Sequence, residues 1–577
     1  MSVKSPHLNR LKATAISFWR EFCYVGLLSL VANLIALTPT LYMLQIYDRV
    51  LSSHSELTLL FLTVIVVFFF CMMSLAEWLR SRILIRAGLS MDQKLSPLVF
   101  KAAFNAHLAG EQNIANEAFN YLTQIRQFFT GAGIITIFDV PWTPIYIAVV
   151  FLLHPILGWM AILFAIIQLL MTLLSHRLSA NPAKLASEAE LISRRVLIAK
   201  LKNAESVEAM GMLENLKARW LITHVKYQSL SVLASHQQNR FLSFTKFLRY
   251  SMQSLTLGAA AMLVVRGEIS AGAMIAANVL VSKALQPLDQ IASSWKLAVQ
   301  TKGARDKLND LLVRFSEEVF IPLSFEKLQH GEVHLIQLTA SAPTRKEPIL
   351  DTLNLTFDAG KTTVIMGPSG SGKSTLARCL VGVWPHVSGD VLYDGVSIND
   401  WDQEQLGPHI GYLPQDIELL DGTIAENIGR FTVVDSEKVI QAAQSAGIHD
   451  MILRLPMGYD TLIMSVNGLL SHGQRQRLGL ARALYGDPLI VVLDEPNANL
   501  DDQGEKALYQ AIAKLKSLNK TVFLITHRGN LLGLADQLLL LEKGKVIDFG
   551  ARDEVISRLN SKSSGTEPSL TNHAPGD

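Results

Sequence analysis

An all-α membrane domain of six helices, followed by an α/β phosphate-loop domain, is the multidomain fold class that this sequence predicts. Three observations carry it. Apolar residues make up 49% of the 577, and their long runs are concentrated in the first half of the chain. GPSGSGKST at 367–375 lies between the strand-like TTVIM and the helix-like LARCLVGVW. LIVVLDEP at 489–496 is an apolar run that ends in two carboxylates. So long a chain exceeds one compact domain, and the second half alternates strand and helix patterns as a soluble α/β domain does.

A bilayer core about 30 Å thick needs roughly 20 helical residues to cross it. Six segments qualify: 22–44, 57–77, 132–153, 155–175, 247–266 and 271–291. The first is followed by a second span rather than a small-residue cleavage site, so it is not a cleavable signal. Lysine and arginine gather before span one (Lys4, Arg10, Lys12, Arg20), between spans two and three (Arg80, Arg82, Arg86, Lys94, Lys101, Arg126) and after span four (Arg177, Lys184, Arg194, Arg195). The three other links are short and carry little charge. Both termini and both long loops therefore face the cytoplasm. The long loops are helix-patterned, as extensions of the spans would be. Asp139, within FDVPWTPIY, is a carboxylate at membrane depth and a functional candidate on that ground. The plainer reading, which we prefer, is that it caps or kinks span three beside Pro141 and Pro144.

In the second half, strand, loop and helix in that order make GxxxxGK[ST] a specific signal. Gly367, Gly370 and Gly372, with Pro368, Ser369 and Ser371 between them, let backbone N–H groups wrap phosphates at the positive end of a helix. Lys373 would reach the outer phosphates, Ser374 would ligate magnesium, and Thr375 completes the loop. Asp494 suits the magnesium shell and Glu495 a water-polarising base, at the carboxyl end of a buried strand where α/β sheets place ligands. Gln415 in GYLPQD and His527 after VFLIT close two further strands. Either alone reads as an ordinary polar strand-end residue; with the phosphate elements they form a constellation. Ser471 begins a helix, HGQRQRLGLARALYG, whose first-turn N–H groups attract anions. A second phosphate cradle in one domain suggests that Ser471, His472, Gly473 and Gln474 serve the nucleotide of another copy.

Together these residues resemble the ATP-binding cassette (ABC) transporters. In that resemblance GPSGSGKS is the phosphate loop, Gln415 the glutamine loop and a magnesium ligand beside Ser374 and Asp494, and LSHGQ the signature. LIVVLDE is the catalytic strand, Asp501 in ANLD the acid of the loop coupling two sites, and His527 the switch histidine. The implied fold is the type I ABC exporter fold, and six spans plus one cassette imply a homodimer with two composite ATP sites. YMLQIYDRVL at 42–51, FDVPWTPIYIAVVFLLHPILG at 138–158 and ESVEAMGM at 205–212 resemble the alkaline-protease (PrtD-type) branch of type I secretion permease/ATPases. LVGVWPHVSGDV at 380–391, LGPHIGYLPQDIELLDGTIAENI at 406–428 and LARALYGDPLIVVLDEPNANLD at 480–501 do too. The resemblance implies ATP hydrolysis, ATP and Mg2+ as cofactors, and a bacterial inner membrane location. It also implies export of polypeptides bearing a C-terminal signal, with a periplasmic adaptor and a TolC-type outer-membrane channel as partners and membrane lipid around the spans. The extra N-terminal peptidase-like domain of haemolysin and bacteriocin exporters is not expected, since span one starts near residue 22.

Three departures from the pattern stand out. His472 replaces a signature glycine, though its backbone N–H remains. IMSVNGLLS at 463–471 replaces an acidic, glycine-rich stretch. No aromatic lies in LTASAPTRKEP at 338–348 to stack on adenine, and Arg345 there reads more simply as an exposed loop residue. The expected division is a cytoplasmic segment 1–21, a transmembrane domain 22–304, a linker 305–330, a nucleotide-binding domain 331–558 and a tail 559–577 rich in Ser, Thr, Pro and Gly. Short coupling helices are implied near 112–122 and 203–213. Alternatives with the same ATP motifs are a half-size exporter of lipids or small molecules and a weakly hydrolysing, ATP-gated membrane complex. A net charge of +2 with no basic patch argues against a nucleic-acid partner. Cys23, Cys71 and Cys379 show neither disulfide nor metal-ligand spacing.

Overall fold

The computed structural model describes residues 17–201, 203–315, 328–342, 347–464, 470–498, 500–527 and 529–563. Residues 1–16, the linker residues 316–327, Arg345, the stretch 465–469 before the signature, and the tail from 564 lie outside the described residues. The chain forms two compact units, Met1–His107 with Glu111–Ser316, and Leu108–Gly110 with Glu317–Asp577.

The first unit is helical. Helices of 53, 47, 53 and 45 residues span Glu56–Leu108, Pro155–Leu201, Leu213–Val265 and Ala271–Phe315. At 1.5 Å per residue the longest is about 80 Å, so each extends a span well beyond a bilayer core, as the helix-patterned loops predict. Among the described residues four stretches are long and apolar enough to cross a membrane: Trp19–Ser53, Glu56–Leu108, Gln112–Leu153 and Pro155–Leu201. The fifth and sixth expected spans fall in Leu213–Val265 and Ala271–Phe315, whose hydropathy is lowered by Ala, Gly and Ser and by Arg249, Lys283 and Asp289. A short helix, Ala204–Ala209, stands where the second coupling helix is expected. The first differs: Gln112 begins a 19-residue helix that runs to Thr130. Its apolar stripe of Ala115, Ala118, Leu122 and Ile125 packs with Leu308, Leu311 and Leu312, and a stripe of that length favours continuing the helix.

Asp139 corrects the preferred reading in part. The helix Ala132–Asp139 does give way there to a 3-10 turn, Val140–Trp142, containing Pro141, but the Asp139 side chain caps nothing. Instead its Oδ1 accepts from Arg80 Nη1 at 3.1 Å and from Asn33 Nδ2 at 3.0 Å. Arg80 also donates to Ser29 Oγ at 3.1 Å, and Tyr146 donates its hydroxyl to Asn33. Arg80, grouped above with the loop cations, is therefore a buried residue paired across three spans. It sits on the buried stripe Arg80, Leu84, Gly88, Met91, Leu95 and Val99, spaced three or four residues apart. A second cluster joins the next three spans: Asp289 accepts from Gln168 Nε2 at 2.5 Å and from Arg249 Nη1 at 3.3 Å.

Among the described residues the second unit is built on two larger sheets, with a two-stranded one formed by β7 (Gly422–Thr423) and β8 (Leu462–Ile463). An antiparallel sheet has the order β2-β1-β4-β5, from β1 (Val333–Ala340), β2 (Leu350–Phe357), β4 (Val387–Tyr393) and β5 (Val396–Ser397). The six-stranded sheet contains β3 (Thr362–Met366), β6 (Ile410–Leu413), β9 (Ile490–Asp494), β10 (Thr521–Ile525), β11 (Gln537–Glu542) and β12 (Lys545–Ala551). Its order is β12-β11-β3-β10-β9-β6, parallel from β11 to β6 with β12 antiparallel at the edge. The central strands are continuous β-branched and aromatic runs because both faces are covered. Val364, Val491, Leu493, Val522 and Leu524 fill one core, and the alternating Ile365, Val492, Phe523 and Ile525 fill the other. This stacking brings the carboxyl ends of β3, β6, β9 and β10 side by side.

Candidate functional site

β3 runs into the phosphate-type loop, and the helix Lys373–Leu380 follows. Gly372 has φ +100°, and a Cβ there would press on Leu350 Cδ2 at 2.7 Å. At Gly367 a Cβ would collide with the Leu541 carbonyl oxygen of the neighbouring strand. Both positions thus require glycine. Pro368, Ser369 and Gly370 are exposed at the tip, Ser371 is buried beneath it, and Thr375 is half-buried in the helix. Lys373 is 5% exposed and donates from Nζ to the carbonyls of Gly367 at 3.0 Å and Pro368 at 2.9 Å. Burial pushes its ammonium below the usual lysine range, an effect that Glu495 and Asp494 oppose.

Asp494 closes β9 and is 1% exposed. Burial raises its carboxyl above the ordinary range, the Ser374 hydroxyl donating to Oδ1 at 3.2 Å lowers it, and neighbouring Glu495 raises it further. Glu495 turns off the strand with φ +50°. Its Oε2 accepts from Gln415 Nε2 at 3.2 Å, and its Oε1 lies 3.2 Å from His527 Nε2. Four strand ends thereby bring together the phosphate-type loop, both carboxylates, the glutamine and the histidine.

Ser471 is the N-cap of the helix His472–Leu484. Its Oγ accepts from Gln474 N at 3.3 Å while Gln474 Oε1 accepts from Ser471 N at 2.9 Å, a reciprocal capping box. His472 is exposed, and its ring turns along the helix to Arg475, whose Nη2 lies 3.0 and 3.2 Å from the two ring nitrogens. Arginine only donates, so the ring nitrogen it bonds accepts through its lone pair. Asp501 stands apart from the strand-end cluster: it caps the helix Asp502–Ser517, accepting from Gly504 N at 2.8 Å.

Two residues escape the sequence reading. Gln476 is 4% exposed and donates from Nε2 to the carbonyls of Glu495 at 3.1 Å and Pro496 at 2.6 Å. Its signal was available: it shares the buried helix face with Leu480 and Ala483, a polar residue in an apolar stripe. Arg430 donates to the carbonyls of Arg482, Gly407, Ile410 and Ala483, tying the end of the same helix to the start of β6. Burial lowers its guanidinium below the usual arginine range.

Family models match both units: the ABC transporter transmembrane region over residues 22–288 and the ABC transporter model over 350–498. The type I secretion system ATP-binding protein PrsD of Rhizobium meliloti (strain 1021) is 38% identical over 540 residues, 93% of this chain and 92% of that protein. The chain belongs to the ABC transporters. Within them it falls in the type I secretion branch. The leukotoxin translocation ATP-binding protein LktB of Mannheimia glucosida is 28% identical over 94% of this chain and 77% of its own length. A solved bacterial Atm1-family ABC exporter with ATP bound has a TM-score of 0.82 at 22% identity, covering 96% of this chain and 99% of that one. This likeness establishes the exporter fold, a helical transmembrane domain followed by a nucleotide-binding domain. As an ABC transporter the chain is a multi-pass membrane protein whose ATPase domain binds nucleotide and couples hydrolysis to transport.

Proposed function

We propose that this ABC transporter is the inner-membrane ATPase and permease of a type I secretion system, exporting polypeptides that carry a C-terminal signal. The observation that carries the reading is the similarity to PrsD across nearly the whole of both chains. It works as a homodimer with a periplasmic adaptor and a TolC-type outer-membrane channel, surrounded by membrane lipid. Its termini and nucleotide-binding domain are cytoplasmic, since lysine and arginine collect on that side of the spans. The transmembrane domain takes 22–304, its last helix running on to Phe315 within the linker stretch 305–330, and the nucleotide-binding domain takes 331–558.

In this reading the N–H groups of Ser369–Thr375 bind the phosphates of ATP and Lys373 neutralises them. Lys373 now donates only to two carbonyls, which a phosphate oxygen can replace at little cost. Magnesium is held by hard oxygen ligands and keeps several of its waters. The Ser374 hydroxyl, the Asp494 carboxylate and the Gln415 amide oxygen suit it, and the desolvated Asp494 gains most from a nearby cation. Bound there, magnesium would neutralise charge on the phosphates. Glu495 takes the proton of the attacking water as general base. Gln415 and His527, on either side of its carboxylate, orient that water and the γ-phosphate. Ser471, His472, Gly473 and Gln474 hold the γ-phosphate of the partner's ATP from the capped helix end, and Asp501 couples the two sites.

ATP turnover by the nanodisc-held dimer tests this reading. Wild type hydrolyses ATP, Glu495→Gln does not, and His472→Gly changes turnover little. A wild type as inactive as Glu495→Gln, with turnover restored by His472→Gly, would instead make this an ATP-gated complex. Export is tested in cells: loss of a C-terminally signalled polypeptide from the medium on deleting the adaptor supports the secretion reading, and undiminished export counts against it.

A further inference from the structure

The peptide frame of Glu495 is held from both sides. Its N–H donates to the Ile525 carbonyl at 3.0 Å, two residues before His527 on the neighbouring strand. Its carbonyl accepts from Gln476 Nε2 at 3.1 Å and from Ala498 N at 3.2 Å. Between these fixed points the backbone takes φ +50°, a left-handed conformation that a residue with a Cβ adopts reluctantly. The turn lifts the carboxylate off β9, whose own last residue Asp494 is buried, and directs it between Gln415 and His527. A conformation of this kind persists only where its surroundings fix it. The same Gln476 amide also donates to the Pro496 carbonyl at 2.6 Å, so one side chain holds two successive peptide groups after the strand.

Gln476 lies five residues beyond Ser471 on one helix, and the capping box at Ser471 and Gln474 makes that helix end rigid. A rotation or shift of residues 471–474 therefore reaches the carbonyl of Glu495 through one helical turn and one amide.

We propose that Gln476 is a positioning residue for hydrolysis, which ties the signature helix to the backbone of Glu495 within the same chain and so sets the aim of its carboxylate. The proposal rests on the reading of Glu495 as general base. Gln476 touches no substrate; its effect passes through the peptide of Glu495. Removing its donor leaves the Glu495 carbonyl bonded to Ala498 N, so the fold is retained while the turn is loosened.

The test compares the full-length nanodisc-held transporter with Gln476→Met, close in shape but without a donor, and Gln476→Glu, equal in length and an acceptor only at neutral pH. ATP affinity is measured by equilibrium binding of a fluorescent ATP analogue, and kcat and KM by steady-state turnover. Both variants should bind nucleotide as wild type does, with KM unchanged and kcat lowered about ten- to hundred-fold, the scale of a misplaced catalytic group. In a Glu495→Gln background, Gln476→Met should cause no further loss of turnover. The inference is overturned if kcat stays at the wild-type value in both variants, or if nucleotide affinity and kcat fall together, as a merely structural role predicts. Glu495→Gln alone separates the two ideas. If it keeps wild-type turnover, the base assignment fails; if it is inactive while both Gln476 variants turn over normally, only the role of Gln476 fails.

Discussion

The membrane unit and the nucleotide unit both bury charged side chains, and they treat them in opposite ways. In the membrane unit Arg80 and Asp139, 9% and 15% exposed, meet each other directly, with Asn33 and Ser29 closing the cluster. In the nucleotide unit the hydrogen bonds of Lys373 go to neutral carbonyls and that of Asp494 comes from a hydroxyl. The opposite charges of Lys373, Asp494 and Glu495 act on one another there without direct pairing. A buried charge with no directly bonded counter-charge is costly. The first arrangement holds helices together; the second suits a site in which charge arrives with a ligand. Burial alone thus does not separate framework from function, whereas the identity of the partners does.

The largest effect expected on this contrast is at Glu495. Its substitution by Gln keeps the shape and both contacts within reach but removes the base, and turnover should fall by about 10²–10⁴-fold with nucleotide binding retained. Retained turnover would mean that the open cluster is not the chemical one. Next is Arg80→Ala, which strands Asp139 and should destabilise the membrane unit by about 3–5 kcal/mol, read as a lowered Tm in nanodiscs. Adding Asp139→Ala should recover much of that loss, and a purely additive double variant would show that the two residues are not a pair. Arg249→Ala should cost less than Arg80→Ala, because its pair with Asp289 is less enclosed by protein, at 40% and 23% exposed, and lies at the cytoplasmic ends of spans five and six. An equal cost for the two arginines would remove the distinction between them.

The smallest effect is a change of sign. Asp494→Asn should raise the Tm of the nucleotide-free protein modestly at neutral pH while abolishing magnesium-dependent turnover. Because burial raises the folded-state value of Asp494, its ionised form opposes folding above that raised value. The penalty disappears as pH falls below the unfolded carboxylate value, where both states bind the proton. The Tm difference between variant and wild type should therefore shrink on acidification. A difference that holds or grows as pH falls would show that Asp494 is not strained by its burial.

The legible parts of the molecule were local. GPSGSGKST, the apolar runs of β3, β9 and β10, and the Ser471–Gln474 capping pattern each declare themselves within a few residues, since strand burial, tight turns and helix caps depend on near neighbours. The ends of β6 and β10, with Gln415 and His527, were readable because parallel sheets gather their carboxyl edges. The long helices were readable from pattern, though the 19-residue course of Gln112–Thr130 depended on what its apolar stripe packs against. Arg80 was misplaced because a cation just past a hydrophobic run carries the same signal whether it faces water or a carboxylate on another helix. At Asp139 the adjacent prolines declare the break in the helix, whereas the side chain's partners Arg80 and Asn33 lie on other spans and declare nothing locally.

By itself, the sequence determined the class of this protein: spans joined to a phosphate-loop domain, with glycines where the backbone must pass closest to its neighbours and acids at the end of a buried strand. Those features follow from hydrophobic length, backbone freedom and side-chain period. Only the tertiary structure decided which charges are closed by a partner and which stay open, and that Gln476 holds the peptide of Glu495. Such contacts join residues distant along the chain or on separate elements, and the packing of helices and strands sets the few ångströms on which a hydrogen bond depends.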